Sequence, residues 1–172
     1  MSVSEMINDA YAQAKAPEVT QPSISLTLGS TSLTGEVGAT YTVPKATLKF
    51  SRGTYEYADP QNNTGVSIPA TSAVISCITE GTSRTNSSAL TANDSTFDLP
   101  AGTANAKSFT DNAKTYSYSA TAQWTDGDIP KNNLKIDVLS AQISSDTSTK
   151  TASCTATGHR FGFFGYRLAS EA

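Results

Sequence analysis

The stretch Lys114–Leu134, KTYSYSATAQWTDGDIPKNNL, decides the fold. Its first half alternates, with Tyr116, Tyr118, Ala120, Ala122 and Trp124 on one face and Thr115, Ser117, Ser119, Thr121 and Gln123 on the other. A period of two that separates apolar from hydroxyl-bearing side chains is the signature of a strand buried on one side. Tyr116, Tyr118 and Trp124 are therefore expected in a core, and Ser117, Ser119 and Gln123 at the surface. The strand stops at Asp126-Gly127-Asp128, a strong turn signal, and runs on into Ile129-Pro130, where proline has no N–H to give to a ladder.

The same alternation recurs on both sides. Before it, Ile24, Leu26 and Leu28 alternate with Ser23, Ser25 and Thr27. Val37, Ala39, Tyr41 and Val43 alternate with Gly38, Thr40 and Thr42, and Ala46, Leu48 and Phe50 with Lys45, Thr47 and Lys49. Ala73–Thr79 (AVISCIT) is a nearly continuous apolar run of strand length, which predicts a strand buried on both faces. A short strand is expected at Phe97–Leu99 before Pro100. Another is expected over Lys150–Thr157, with Ala152, Cys154 and Ala156 on one side. Residues 53–70 read as a surface loop, 80–95 as a polar stretch, and Ser144–Lys150 as a polar turn, while Ile136, Val138 and Leu139 form an apolar patch. Short strands separated by turn clusters at roughly 8 to 12 residues predict an all-β, Ig-like antiparallel sandwich over residues 20–172. No helix of crossover length lies between the strands, which excludes α/β architectures.

Residues 1–19 are expected to form a helix and a proline-punctuated connector. Val3, Met6, Ile7, Ala10, Tyr11 and Ala14 share one stripe, Ser2 and Glu5 have the spacing of a capping box, and Pro17 is the stop, so a helix is predicted over Ser2–Ala14. A terminal helix of about four turns needs its stripe covered. Either the helix is a lid on its own sandwich, or the stripe is an assembly surface.

Composition narrows the function. Of 172 residues only 16% are charged, the formal net charge is −3 and the pI is near 5.0. No basic stripe is present for nucleic acid or an anionic membrane, and no apolar run reaches the length of a span. The N-terminus lacks the basic and apolar regions of a secretory signal, so synthesis and folding in a cytoplasm are expected. Cys77 and Cys154 are too few for a disulfide framework or a structural zinc site, and are expected as small apolar fillers. His159 is the sole histidine, and Cys154 precedes it on the same strand, where side chains diverge; no nucleophile–base pair is expected. Asp126-Gly127-Asp128 lacks the further ligands of a calcium loop. No nucleotide-binding, metalloprotease or CxxC motif occurs, and no cofactor is expected. Among the aromatic residues, Tyr55 and Tyr57 are candidates for stacking on a sugar, and Phe161 or Phe163 is expected inward.

Several short pieces recur in a recognisable order: Glu36-Val37-Gly38, Gly53-Thr54-Tyr55, Thr64-Gly65-Val66, Gly127, Pro130-Lys131-Asn132-Asn133-Leu134, Gly158-His159-Arg160 and Phe163-Phe164-Gly165. Together with the N-terminal helix they resemble a domain of tailed-bacteriophage virion proteins, over roughly residues 1 to 166. Lys135 stands where that pattern often carries glycine, and His159 where it carries tyrosine. The resemblance implies a non-enzymatic structural module of a tail fibre, baseplate or related appendage, located in the virion. Its implied partners are other virion proteins and itself, as a homo-oligomer such as a trimer. The alternative is a carbohydrate-binding module for a bacterial surface glycan, since sandwiches present loops to ligands.

Overall fold

The structure, a computed structural model, describes residues 2–6, 16–56, 73–86, 90, 95–101, 106–132 and 134–162. Twelve strands lie in the described residues. In chain order they are β1 (Glu18–Thr20), β2 (Ser23–Leu28), β3 (Ser32–Glu36), β4 (Thr40–Tyr41), β5 (Ala46–Ser51), β6 (Thr54–Glu56), β7 (Val74–Cys77), β8 (Thr82–Thr85), β9 (Ser95–Leu99), β10 (Lys107–Ser108), β11 (Lys114–Trp124) and β12 (Asp146–His159). They make a five-stranded sheet in the order β3-β12-β11-β7-β8 and a three-stranded sheet in the order β2-β5-β9, with two small ribbons, β1-β6 and β4-β10. Successive strands cross repeatedly from one main sheet to the other, as in the Ig-like sandwich that the alternation predicts.

β11 is the centre of the larger sheet. Tyr116, Tyr118, Ala120, Ala122 and Trp124 are all buried, whereas Thr115, Ser117 and Gln123 are exposed and Ser119 and Thr121 half-buried. Its inward row meets Ala46, Leu48 and Phe50 of β5, Ile75 and Cys77 of β7, and Cys154 and Ala156 of β12 in one core. Each large apolar side chain buried there contributes about 1.5–3 kcal/mol. Lys45 and Lys49 stay on the outside of the smaller sheet, Lys45 paired with Asp98 at 2.7 Å.

Local departures from the sequence pattern have physical causes. β7 is buried on one face only: Ile75 and Cys77 point inward, Val74 and Ser76 are half-covered, and Ile78 is exposed in the following turn. Among the described residues no element packs on the outer side of the sheet there, so an apolar run did not mean two buried faces. The alternation from Val37 to Val43 is broken by a turn in which Gly38 adopts φ +94°, and the strand proper is β3, upstream of it. β3 pairs in parallel with β12, against antiparallel pairing everywhere else in the main sheets. The stretch expected as a turn at Ser144–Lys150 instead opens β12, which starts at Asp146 and follows β11 residue for residue back to Lys114. β8 likewise lies within the polar stretch 80–95.

At the N-terminus residues 3–6 are helical. The expected capping box is present: the Glu5 amide donates to Ser2 Oγ at 3.3 Å, and the Ser2 amide donates to Glu5 Oε2 at 2.6 Å. Val3 and Met6 are exposed, while Ile7, Ala10, Tyr11 and Ala14 lie outside the described residues. Pro17 is buried and β1 pairs with β6, so sheet structure starts at Glu18, just ahead of the expected boundary. Cys77 and Cys154 are free buried thiols on strands that flank β11, opposite Tyr118 and Tyr116. Two strand spacings, about 10 Å, separate them, beyond the reach of a disulfide.

Candidate interaction surface

β11 and β12 are antiparallel neighbours, and the connection between them, residues 125–145, is long for a hairpin. Its sequence explains how it keeps one shape. At the base, Trp124 Nε1 donates to the Ser144 carbonyl at 3.2 Å, and the Gly127 amide donates to the Ile143 carbonyl at 2.8 Å. Gln142 Nε2 donates to the Gly127 carbonyl at 2.7 Å, and the Ser145 amide to Asp126 Oδ1 at 2.7 Å. Ile143 is fully buried and its amide donates to the Tyr55 hydroxyl at 2.8 Å. Gly53 makes room for this: a Cβ there would stand 2.5 Å from Ile143 Cδ1 and 2.9 Å from the Thr20 carbonyl oxygen.

The tip is built around Asn132. Its side chain is buried, and Oδ1 accepts the amides of Leu134 (2.9 Å) and Ile136 (3.0 Å), the local bonding that suits asparagine to turns. Main-chain bonds from Asn132 to the Ile136 carbonyl and from Val138 to the Pro130 carbonyl close the hairpin, and Lys131 pairs with Asp137 across it. Lys135 sits at the turn with φ +60°.

This framework holds apolar side chains out. Ile129 (40% exposed), Leu134 (44%), Ile136 (58%) and Leu139 (67%) are all carried by this loop, half of the large exposed apolar residues among those described. Pro130 and Ile143, by contrast, are inward. Exposed apolar side chains gathered on one loop are a common mark of a contact site.

A second cluster sits at the far end of β11. Glu80, mostly buried, binds Lys107 Nζ at 2.7 Å and lies 3.7 Å from Lys114 Nζ. Tyr41 and Tyr116 share a hydroxyl–hydroxyl hydrogen bond of 2.6 Å, and the Tyr118 hydroxyl donates to the Pro44 carbonyl at 3.0 Å. A recess of about 190 Å³ is lined by Glu80, Cys77, Tyr118 and Leu99, and another of about 170 Å³ by Tyr41, Tyr116 and the two lysines near Glu80, Lys107 and Lys114. Burial pushes the phenols of Tyr116 and Tyr118 well above the usual tyrosine range, with the Tyr41 bond adding to the first and the nearby Cys77 thiol to the second. Phenols so shifted neither give nor take protons near neutral pH. The cluster fastens the β7–β8 turn, β10 and β11 together.

The residues singled out from the sequence divide clearly. Tyr55, expected as a sugar platform, is 1% exposed and its hydroxyl is occupied by Ile143, so it offers no face to a glycan; Tyr57 lies outside the described residues. Phe161, expected as a possible inward residue, is exposed, and Phe163 lies outside the described residues. His159 is exposed at the end of β12. Acidic side chains here serve other groups: Asp126 holds Ser145, Asp137 pairs with Lys131, and Asp111 with Arg160, which holds the Asp111 carboxyl below its ordinary range. Among the described residues, two pairs of these sequence pieces meet. Gly53-Thr54-Tyr55 packs under the loop that carries Gly127 and Asn132, and His159 pairs with Glu36, its carbonyl accepting the Val37 amide at 3.1 Å. The loop itself was visible in the sequence only as a turn plus the Ile136–Leu139 patch.

Comparison with protein-family models, curated proteins and solved structures found no match to this chain.

Proposed function

We propose that this chain is a non-enzymatic structural module of a tailed-bacteriophage virion appendage, of the tail fibre or baseplate kind, which assembles with other virion proteins through the β11–β12 loop. The observation that carries the contact role is the combination of a tightly bonded frame with outward Ile129, Leu134, Ile136 and Leu139. A stiff loop presenting aliphatic side chains loses little conformational entropy when a partner covers it. The virion assignment is supported by the ordered sequence pieces and by the pairing of their distant members in space.

Particles assembled from the virion genes that neighbour this one, purified and probed for the chain, test the reading. The wild-type chain is expected in the particles, and a variant with Ile136→Asp and Leu139→Asp, folded by circular dichroism, is expected to be lost from them. Absence of the wild-type chain from particles, or undiminished incorporation of the folded variant, overturns it. Specific binding of the isolated domain to a surface glycan would place it in the carbohydrate-binding class instead.

A further inference from the structure

We propose that the open edge of β12 pairs with the same edge of a second copy of this chain, antiparallel and about a two-fold axis at Ser148. β12 spans Asp146–His159, but β3 covers it only from Thr155 onward; among the described residues, 146–153 have a strand on the β11 side alone. The main chain of this stretch is directed outward at every second residue. The Thr155 amide donates to the Thr31 carbonyl and the His159 carbonyl accepts from Val37, both away from β11. By the pleat, Thr147, Thr149, Thr151 and Ser153 turn their N–H and C=O groups to the same, open side, where the Thr147 amide is held by Asp146 Oδ1 at 2.7 Å. β2 packs against β12, and Ser148 and Ala152, which share the face of Cys154 and Ala156, are half-buried, so an added strand would extend the larger sheet sideways.

The charges choose both the occupant and the register. Asp146 and Lys150 are exposed, share one face of β12 and join no ion pair among the described residues. With Ser148 opposite Ser148 of the second copy, Asp146 of each copy faces Lys150 of the other, at the close, non-hydrogen-bonded positions where cross-strand charges interact best. Thr147 and Thr149 then face one another and exchange about four main-chain hydrogen bonds over the pair, the Thr147 amide leaving Asp146 Oδ1 as that carboxylate turns to Lys150 of the second copy. Centring the axis on Lys150 would oppose two lysines instead, so the lysine that guards the edge against other pairings fits this one. A self-complementary patch of this kind makes a closed dimer.

The contact is separate from the β11–β12 loop and does not rest on the proposed function. Sedimentation of the full chain from about 10 μM to about 1 mM tests it, spanning the range of a weak dimer. A dimer is expected, weakened about tenfold or more by Asp146→Lys or Lys150→Asp alone and restored when both are combined. Thr149→Pro removes an amide that points outward, leaves the β11 ladder intact, and is expected to abolish the dimer. Trp124 fluorescence checks that each variant is folded. A monomer throughout the range overturns the proposal, as does a dimer indifferent to Thr149→Pro or a double exchange no better than the single ones.

Discussion

The Ile143 amide and the Tyr55 hydroxyl meet at 2.8 Å across 88 residues of chain, both side chains buried. That single bond joins β6, in the crossing between the sheets, to the base of the β11–β12 loop. Tyr55→Phe keeps the ring and leaves a buried amide without its acceptor, which costs about 1–3 kcal/mol. Urea unfolding is expected to show that loss, and hydrogen exchange to show faster exchange at Ile143 and Gly127 than in the strands. Unchanged protection at Ile143 would mean that the loop holds without β6.

The Asn132 side chain ties the tip together from within. Asn132→Ala removes the acceptor of two amides at once while leaving the strands untouched, so its expected signature is local. Amides of Leu134 and Ile136 are expected to lose protection, with global stability falling by about 1–2 kcal/mol. Asn132→Asp, which retains the acceptor oxygen, is expected to keep the protection; equal loss in both variants would place the tip's order elsewhere.

What the sequence made legible follows from range. β11 could be read to the residue because its pattern is local: a polar/apolar period of two is enforced by one buried face. Cys154 and Ala156 were placed inward for the same reason. Tyr55 could not be placed, because its burial depends on Ile143 arriving from another part of the chain, and a tyrosine beside a turn looks alike whether it stacks on sugar or fills a core. The start of β12 was hidden because Ser, Thr and Asp spell turn as readily as a strand whose side chains face water on both sides. Likewise Ile136, Val138 and Leu139 read only as an apolar patch until Asn132 and Pro130 are seen to close the hairpin that carries them.

Backbone sign separates two positions that the sequence treats alike. Lys135 holds φ +60° and Gly38 φ +94°, but only the second is a glycine. A side chain in the left-handed region costs on the order of 1 kcal/mol. Lys135→Gly is therefore expected to stabilise the protein by about 0.5–1 kcal/mol. Gly38→Ala, at a site with no neighbour within 4 Å, is expected to destabilise it by a similar amount through strain alone. Paired thermal melts check both signs, and a stabilising Gly38→Ala would contradict the turn geometry.

Alkaline pH should act through Tyr116 and Tyr118. Both are buried, and both hold their phenolic protons more tightly folded than unfolded, chiefly because burial penalises the phenolate. An unfolded tyrosine ionises near pH 10. Below that pH neither state releases the proton, and the contribution of these residues to stability is complete. Above it the unfolded chain loses protons that the folded chain keeps, so stability falls as pH rises. Urea midpoints are expected to be level from pH 8 to about 9.5 and to decline beyond pH 10. Phenolate absorbance at 295 nm from the buried tyrosines is expected to rise only together with the loss of Trp124 fluorescence. Tyr116→Phe removes one of the two protons and is expected to make the alkaline decline shallower. A single titration of all seven tyrosines near pH 10, with the fold intact, would show that the hydroxyl bonds of Tyr116 to Tyr41 and of Tyr118 to Pro44 do not hold in solution.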